Sequence, residues 1–175
     1  MKEILNLNTP YELFLFMDSY ISYGFVDETG EVHIAKVPKM SDSYKINKPE
    51  ITLEKGCGLC IDQVEVEKKF FKNKEIPHKV YLIGALKCGK IVFHVFLIYE
   101  KNEKYCWFEH SYEEFNGIHE FNNLNDCFHA VKKAFFKGEC IDETLDSHLI
   151  LADVTDVTRP GLGQKEWLYL QKELI

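Results

Sequence analysis

The sequence predicts an α+β fold, an antiparallel β-sheet packed on a central helix that bears a cysteine. Three observations predict it. The stretch Lys55-Gly56-Cys57-Gly58-Leu59-Cys60-Ile61-Asp62-Gln63-Val64 runs two glycines and two cysteines directly into a helical pattern. That helix, expected over about residues 60–71, has Cys60, Val64 and Phe71 on one side and Val66 and Phe70 on another. A helix apolar on more than one side belongs in the interior. Residues 79–86, 91–99 and 104–110 are then three successive runs rich in Val, Ile, Phe, Tyr and Leu, joined by short turns at Cys88-Gly89 and Lys101-Asn102. Such a series reads as antiparallel strands.

The other elements follow in order. Thr9-Pro10-Tyr11-Glu12 is a capping box with proline at the first helical position, where a missing N–H costs nothing. The helix after it carries Leu13, Phe16, Met17, Tyr20 and Ile21 as an apolar stripe, read as core packing. Residues 23–26 and 31–37 form a hairpin around Asp27-Glu28-Thr29-Gly30. Residues 38–49 are a polar loop, long enough for a rim or a lid. Ser111-Tyr112-Glu113-Glu114 starts a short helix before Gly117. Asn125 or Asp126 caps a longer one that turns Cys127, Phe128, Val131, Ala134 and Phe135 inward and ends at Gly138. The tail holds an apolar run at 148–152, a Pro160-Gly161-Leu162-Gly163 break and an amphipathic segment around Trp167, Leu170 and Leu174.

Length and composition restrict the function classes. With 175 residues, 46% of them hydrophobic and 14% aromatic, the chain can bury a core as one domain spanning 1–175. Its net charge of −7, with basic residues scattered among acidic ones, argues against nucleic acid. No apolar run suits a signal sequence or a membrane span, so a cytoplasmic protein is expected. In that compartment the six cysteines are read as free thiols.

Cys60 is the candidate nucleophile, because the unpaired N–H groups at a helix start favour an anion there. A cysteine nucleophile also needs a base and a group to orient that base. The hairpin of the second and third strands offers both. If Lys101-Asn102 is its two-residue loop, His94 lies directly opposite Glu109, with Cβ atoms about 4.5–5.5 Å apart. His94 alternates with Val92, Phe96 and Ile98, the set expected to face the central helix. His110 is the fallback base if the register slips by one. A histidine in an apolar strand is most often a satisfied core residue, yet helix-start cysteine, strand histidine and opposed acid together favour a site.

These residues resemble the transglutaminase-like superfamily of papain-fold thiol enzymes. The matching features are Gly58-Leu59-Cys60-Ile61-Asp62 at a helix start, Ile76-Pro77 before the sheet, His94 in a strand and Trp107-Phe108-Glu109 on the next. The resemblance covers about residues 53–111. It implies Cys60 as nucleophile, His94 as base and Glu109 as orienter, in a position where the family mostly carries Asp. The implied activity is cysteine-dependent acyl transfer through a thioester on a peptide or amide substrate, with hydrolysis favoured over crosslinking and no metal or organic cofactor. For the oxyanion, the backbone N–H of Cys60 is one donor, and Tyr44 and Asn47 are candidates for a second.

Two other readings stand beside it. Cys57-Gly58-Leu59-Cys60 is also a C-x-x-C sequence, which would make Cys57 the active thiol of a thioredoxin-like redox protein. No βαβ unit precedes it. The same fold could instead serve as a silent binding module. Cys88 is assigned to a turn, and Cys106, Cys127 and Cys140 to ordinary packing. Zinc has no second ligand pair at suitable spacing.

Overall fold

A computed structural model describes residues 2–34, 44–88, 90–142, 149–163 and 166. The order of elements is α1 (Lys2–Asn6), α2 (Pro10–Tyr20), β1 (Ser22–Val26), β2 (Val32–Ile34), α3 (Pro49–Lys55), β3 (Cys57–Gly58), α4 (Cys60–Asn73), β4 (His78–Lys87), β5 (Lys90–Lys101), β6 (Lys104–Glu109), a 3-10 turn (Glu113–Phe115), β7 (Gly117–Phe121), α5 (Leu124–Gly138) and β8 (Ile150–Asp153). The architecture is α+β. Among the described residues no helix is long and apolar enough to cross a membrane.

Five strands form an antiparallel sheet in the order β7-β6-β5-β4-β8. Helices cover both faces. One face, with Val80, Leu82, Val95, Leu97, Tyr99, Cys106 and Phe108, packs in one core with Cys60, Ile61, Val64, Val66, Phe70 and Phe71 of α4. The other, with Tyr81, Ile83, Ala85, Phe96, Ile98 and Trp107, packs against Cys127, Val131, Ala134, Phe135 and Phe136 of α5. These two sets alternate along each strand, as a pleated sheet requires. A smaller sheet, β2-β1-β3, pairs β1 with β2 antiparallel and with β3 parallel.

Helix α4 is central. Every residue from Cys60 to Glu67 is buried, including the polar Asp62, Gln63, Glu65 and Glu67. Helix α2 starts at the expected cap: the Thr9 hydroxyl accepts the Glu12 N–H at 3.1 Å, while Glu12 reaches back to the N–H of Asn8. Its stripe buries Leu13, Met17 and Ile21, but Tyr20 is exposed and stacks on Phe16.

Several expectations need correction. Helix α5 is capped by Asn123, whose side chain accepts the Asp126 N–H at 2.9 Å, rather than by Asn125 or Asp126. The segment after Ser111 makes one 3-10 turn and then strand β7. Pro49, read as the last residue of a loop, opens α3, a helix the sequence reading did not place. Cys140 does not pack inside; it is exposed with φ +51°. The β5–β6 turn is Asn102-Glu103, both with positive φ, closed by the pair Lys101–Lys104. A two-residue turn of that conformation matches the twist of its strands. The loop expected at Lys101-Asn102 is therefore one residue early, and the pairing is displaced by two. Residues 35–43 of the first hairpin and loop, and the amphipathic segment at Trp167, Leu170 and Leu174, lie outside the described residues.

Candidate active site

The site begins with two glycines. Gly56 ends α3 in the left-handed region, φ +61°, where glycine carries no steric penalty. Gly58 is fixed by crowding, since a Cβ there would stand 2.9 Å from Asp62 Cβ and from Thr52 Cγ2. Between them Cys57 and Gly58 pair with Ser22 and Tyr23 of β1. This delivers Cys60 to the first position of α4. The N-cap residue, Leu59, has no side-chain acceptor, so Asp62 takes over: its Oδ2 accepts the Leu59 N–H at 3.0 Å and its Oδ1 the Asn47 N–H at 2.7 Å. Burial pushes the Asp62 carboxyl up to about 6, against these hydrogen bonds.

Gln63 ties the same turn to the sheet. Its amide donates to the Gly58 carbonyl at 3.0 Å, and its Oε1 meets the Ser111 hydroxyl at 2.9 Å and His110 Nδ1 at 2.8 Å. His110 is thereby committed to Gln63, and burial lowers its pKa.

His94 and Glu109 meet with Nε2 to Oε2 at 2.8 Å, both almost wholly buried. They are not directly opposed. The β5–β6 ladder ends at the pair Leu97–Phe108, and continuing its register would set Glu109 against Phe96. The displacement by two keeps Glu109 on the same face as His94, one diagonal away, within reach of a long side chain. That face is the one turned to α5, not to α4 as expected, because Phe96, Ile98 and Trp107 pack there. His94 and Glu109 lie beyond the last β5–β6 pair, although each stays paired on its other side, His94 with Ile83 and Glu109 with Gly117. Cys60 lies close enough to act on the imidazole and raise its pKa, and since Nε2 is held by Glu109, Nδ1 is the nitrogen left for sulfur.

The Glu109 carboxylate is fully engaged. Oε2 also accepts Trp107 Nε1–H at 3.2 Å, and Oε1 accepts the backbone N–H groups of Ser111 at 2.7 Å and Tyr112 at 2.9 Å. Burial would raise its pKa, but the His94 charge and these donors outweigh burial and lower it. For His94 burial works downwards; the Glu109 charge and the contacts with Cys60 and Glu109 prevail and raise the imidazole to about 10. The His94 ring also stacks on Tyr112 at 4.2 Å.

Three residues that sequence reasoning missed complete the site. Tyr23 lies beside Cys60, and burial with the Cys60 charge raises its pKa well above the ordinary value. The Tyr112 hydroxyl donates to Glu139 at 3.0 Å. Glu67, two turns along α4 from Cys60, is buried with Oε2 unpartnered; burial, then the Glu109 charge, hold it well above the carboxylate range. The register Tyr23–Gly58 is long-range, so no local pattern announces it. Tyr44 lies near both Asp62 and Cys60, the Asn47 backbone N–H is taken by Asp62, and the Tyr44 hydroxyl and Asn47 side-chain amide nitrogen are buried without a partner.

Tyr23 and Tyr112 also line a cleft of about 650 Å³ with Ser111, Glu113, Glu114, Phe115, Lys137, Gly138 and Glu139. Cys57, by contrast, is fully buried, and burial pushes its thiol up to about 11. Among the described residues, Asp27, Glu31 and His33 are the one group placed to share a metal ion, and Asp27 already accepts from Thr29, Glu31 and His33. No protein-family model and no curated protein matches this chain.

Proposed function

We propose that the protein is a cysteine-dependent acyl-transfer enzyme of transglutaminase-like type, acting as a peptidase or amidase through a thioester. The observation that carries the reading is the series Cys60, His94, Glu109, with the thiol at a helix start, close enough to act on an imidazole that the Glu109 carboxylate holds. With its pKa at about 10, His94 already holds at Nδ1 the proton given up by Cys60 when sulfur attacks the carbonyl carbon. The backbone amide of Cys60 and the Tyr23 hydroxyl beside it are the two donors to the oxyanion. Collapse of the tetrahedral adduct breaks the C–N bond, and the amine leaves with the proton from His94. Water, giving its proton to His94, then releases the acid and restores the thiol.

Glu109 fixes the imidazole so that Nδ1 faces sulfur, the role of the third member of such triads. The resemblance in Gly58-Leu59-Cys60-Ile61-Asp62, His94 and Glu109 supports the same reading. The dithiol alternative is disfavoured by Cys57, which is buried and pushed up to about 11 where that chemistry needs an exposed, acidic thiol.

Iodoacetamide at pH 6 tests the proposal. Site mapping by mass spectrometry should find Cys60 labelled ahead of the exposed Cys88 and Cys140, and His94→Ala should abolish that lead. Equal labelling of Cys60 and Cys88 overturns it. Labelling led by Cys57, with a reversible Cys57–Cys60 disulfide, would support the redox reading instead.

A further inference from the structure

We infer that Gln63 is a positioning residue of the thiol site: it holds the turn that follows β6, and through that turn the Glu109 carboxylate, in register with Cys60. The inference rests on the proposed thiol chemistry and adds a residue that acts on it through Glu109.

Gln63 is 1% exposed and sits in the first turns of α4, just after Cys60. A buried primary amide brings N–H donors and an acceptor oxygen that must all find partners, where an apolar side chain would ask for none. Its contacts run in two directions. Behind it, Nε2 donates to the carbonyl of Gly58, just before Cys60, at 3.0 Å. Ahead of it, Oε1 lies 2.9 Å from the Ser111 hydroxyl and 2.8 Å from His110 Nδ1, in the residues that follow Glu109. The Gly58 carbonyl can only accept, so it fixes which end of the amide is nitrogen. Oε1 must then accept twice, from the hydroxyl and from a His110 ring protonated at Nδ1.

The same turn holds the acid. Ser111 donates its backbone N–H to Glu109 Oε1 at 2.7 Å and Tyr112 donates its own at 2.9 Å, while Glu109 Oε2 meets His94 Nε2 at 2.8 Å. Contacts no longer than 3.0 Å thus lead from Gly58 through Gln63, Ser111 and Glu109 to His94. The sheet does not supply this link, because pairing between β5 and β6 stops at Leu97–Phe108, short of both His94 and Glu109. Gln63 therefore ties the turn that delivers the thiol to the turn that orients the base. Gly58, Gln63, Glu109 and His94 are all buried, so loss of one member leaves its neighbours unpaired and free to shift.

Two variants test the inference. Gln63→Met keeps the length and removes both ends of the amide; Ser111→Ala removes the hydroxyl and keeps the backbone N–H on Glu109. Gln63→Met should slow iodoacetamide labelling of Cys60 by about tenfold, less than the roughly hundredfold that a misplacement of about 1 Å can cost, and Ser111→Ala should slow it by a smaller factor. Both should lower the pH at which His94 titrates, followed by NMR of its ring Cε1–H, from about 10 towards the ordinary 6.5, since the carboxylate is no longer held against the imidazole. A tether of the helix alone would lower the urea midpoint and leave that titration in place. An unchanged His94 titration, with wild-type Cys60 still the fastest thiol, overturns the positioning role whether or not labelling slows, and leaves the thiol chemistry standing. If Gln63→Met does not fold, Ser111→Ala decides alone. If wild-type Cys60 has no lead towards iodoacetamide and His94→Ala changes nothing, the underlying reading falls, and this inference with it.

Discussion

Glu109 spans a diagonal of the sheet to reach His94, and one methylene sets that reach. An aspartate directly opposite a histidine would need no such length; here the register displaces the acid by two residues, and the longer side chain closes the gap to 2.8 Å. Glu109→Asp should therefore break the contact and slow iodoacetamide labelling of Cys60 on the order of a hundredfold, the lower end of what a positioned base contributes. Restoring part of the rate with Glu109→Gln, which keeps the length and loses the charge, would separate orientation from charge. At this scale the sequence was informative for residues that belong to a local motif. Cys60, His94 and Glu109 could each be picked from the sequence. Tyr23, Tyr112, Glu67 and Glu139 could not, because their roles arise from long-range pairing and from surfaces assembled by separate elements.

Among the elements, the start of α4 does the positioning. Its cap is supplied from within by Asp62, its entry by the crowded Gly58, and its tether to the sheet by Gln63. Gly58→Ala should push Asp62 and Thr52 apart, costing about 1–3 kcal/mol in urea unfolding and removing the labelling lead of Cys60. Unchanged stability would show that the turn relaxes freely. The sequence revealed α4 and the three central strands because both kept clean periodicities. It concealed the exact β5–β6 turn, since Lys101-Asn102 and Asn102-Glu103 are equally polar and only backbone twist distinguishes them. The face of His94 was concealed as well. Alternation relates the residues of one strand to each other but does not say which helix covers which set.

Across the molecule, one sheet between two helical layers places charged groups where water does not reach. His94 binds its proton more tightly in the folded protein, with a pKa of about 10 against an ordinary 6.5. Between these values the native state holds a proton that the unfolded chain has lost, so stability is full below 6.5 and declines as pH rises towards 10. The slope from this group is at most about 1.4 kcal/mol per pH unit. Denaturant unfolding across that range should show the decline in the wild type and a flatter profile in His94→Gln; identical profiles would mean that the imidazole is not held protonated. The layer arrangement also explains why α+β architecture was legible from composition and pattern while the cleft was not. Its wall joins β1, the 3-10 turn and the end of α5, which are brought together only by the complete fold.

Glu67 turns this architecture into a statement about evolutionary compromise. A core selected only for folding would place an aliphatic side chain at that point of α4, where an acid has one oxygen without a partner. Keeping it there makes the helix locally frustrated: the same turns that stabilise the domain by burying Val64, Phe70 and Phe71 hold groups whose burial opposes folding. The domain's spare stability is thus spent close to its thiol, and replacing this one acid by an apolar side chain of similar size would recover part of it.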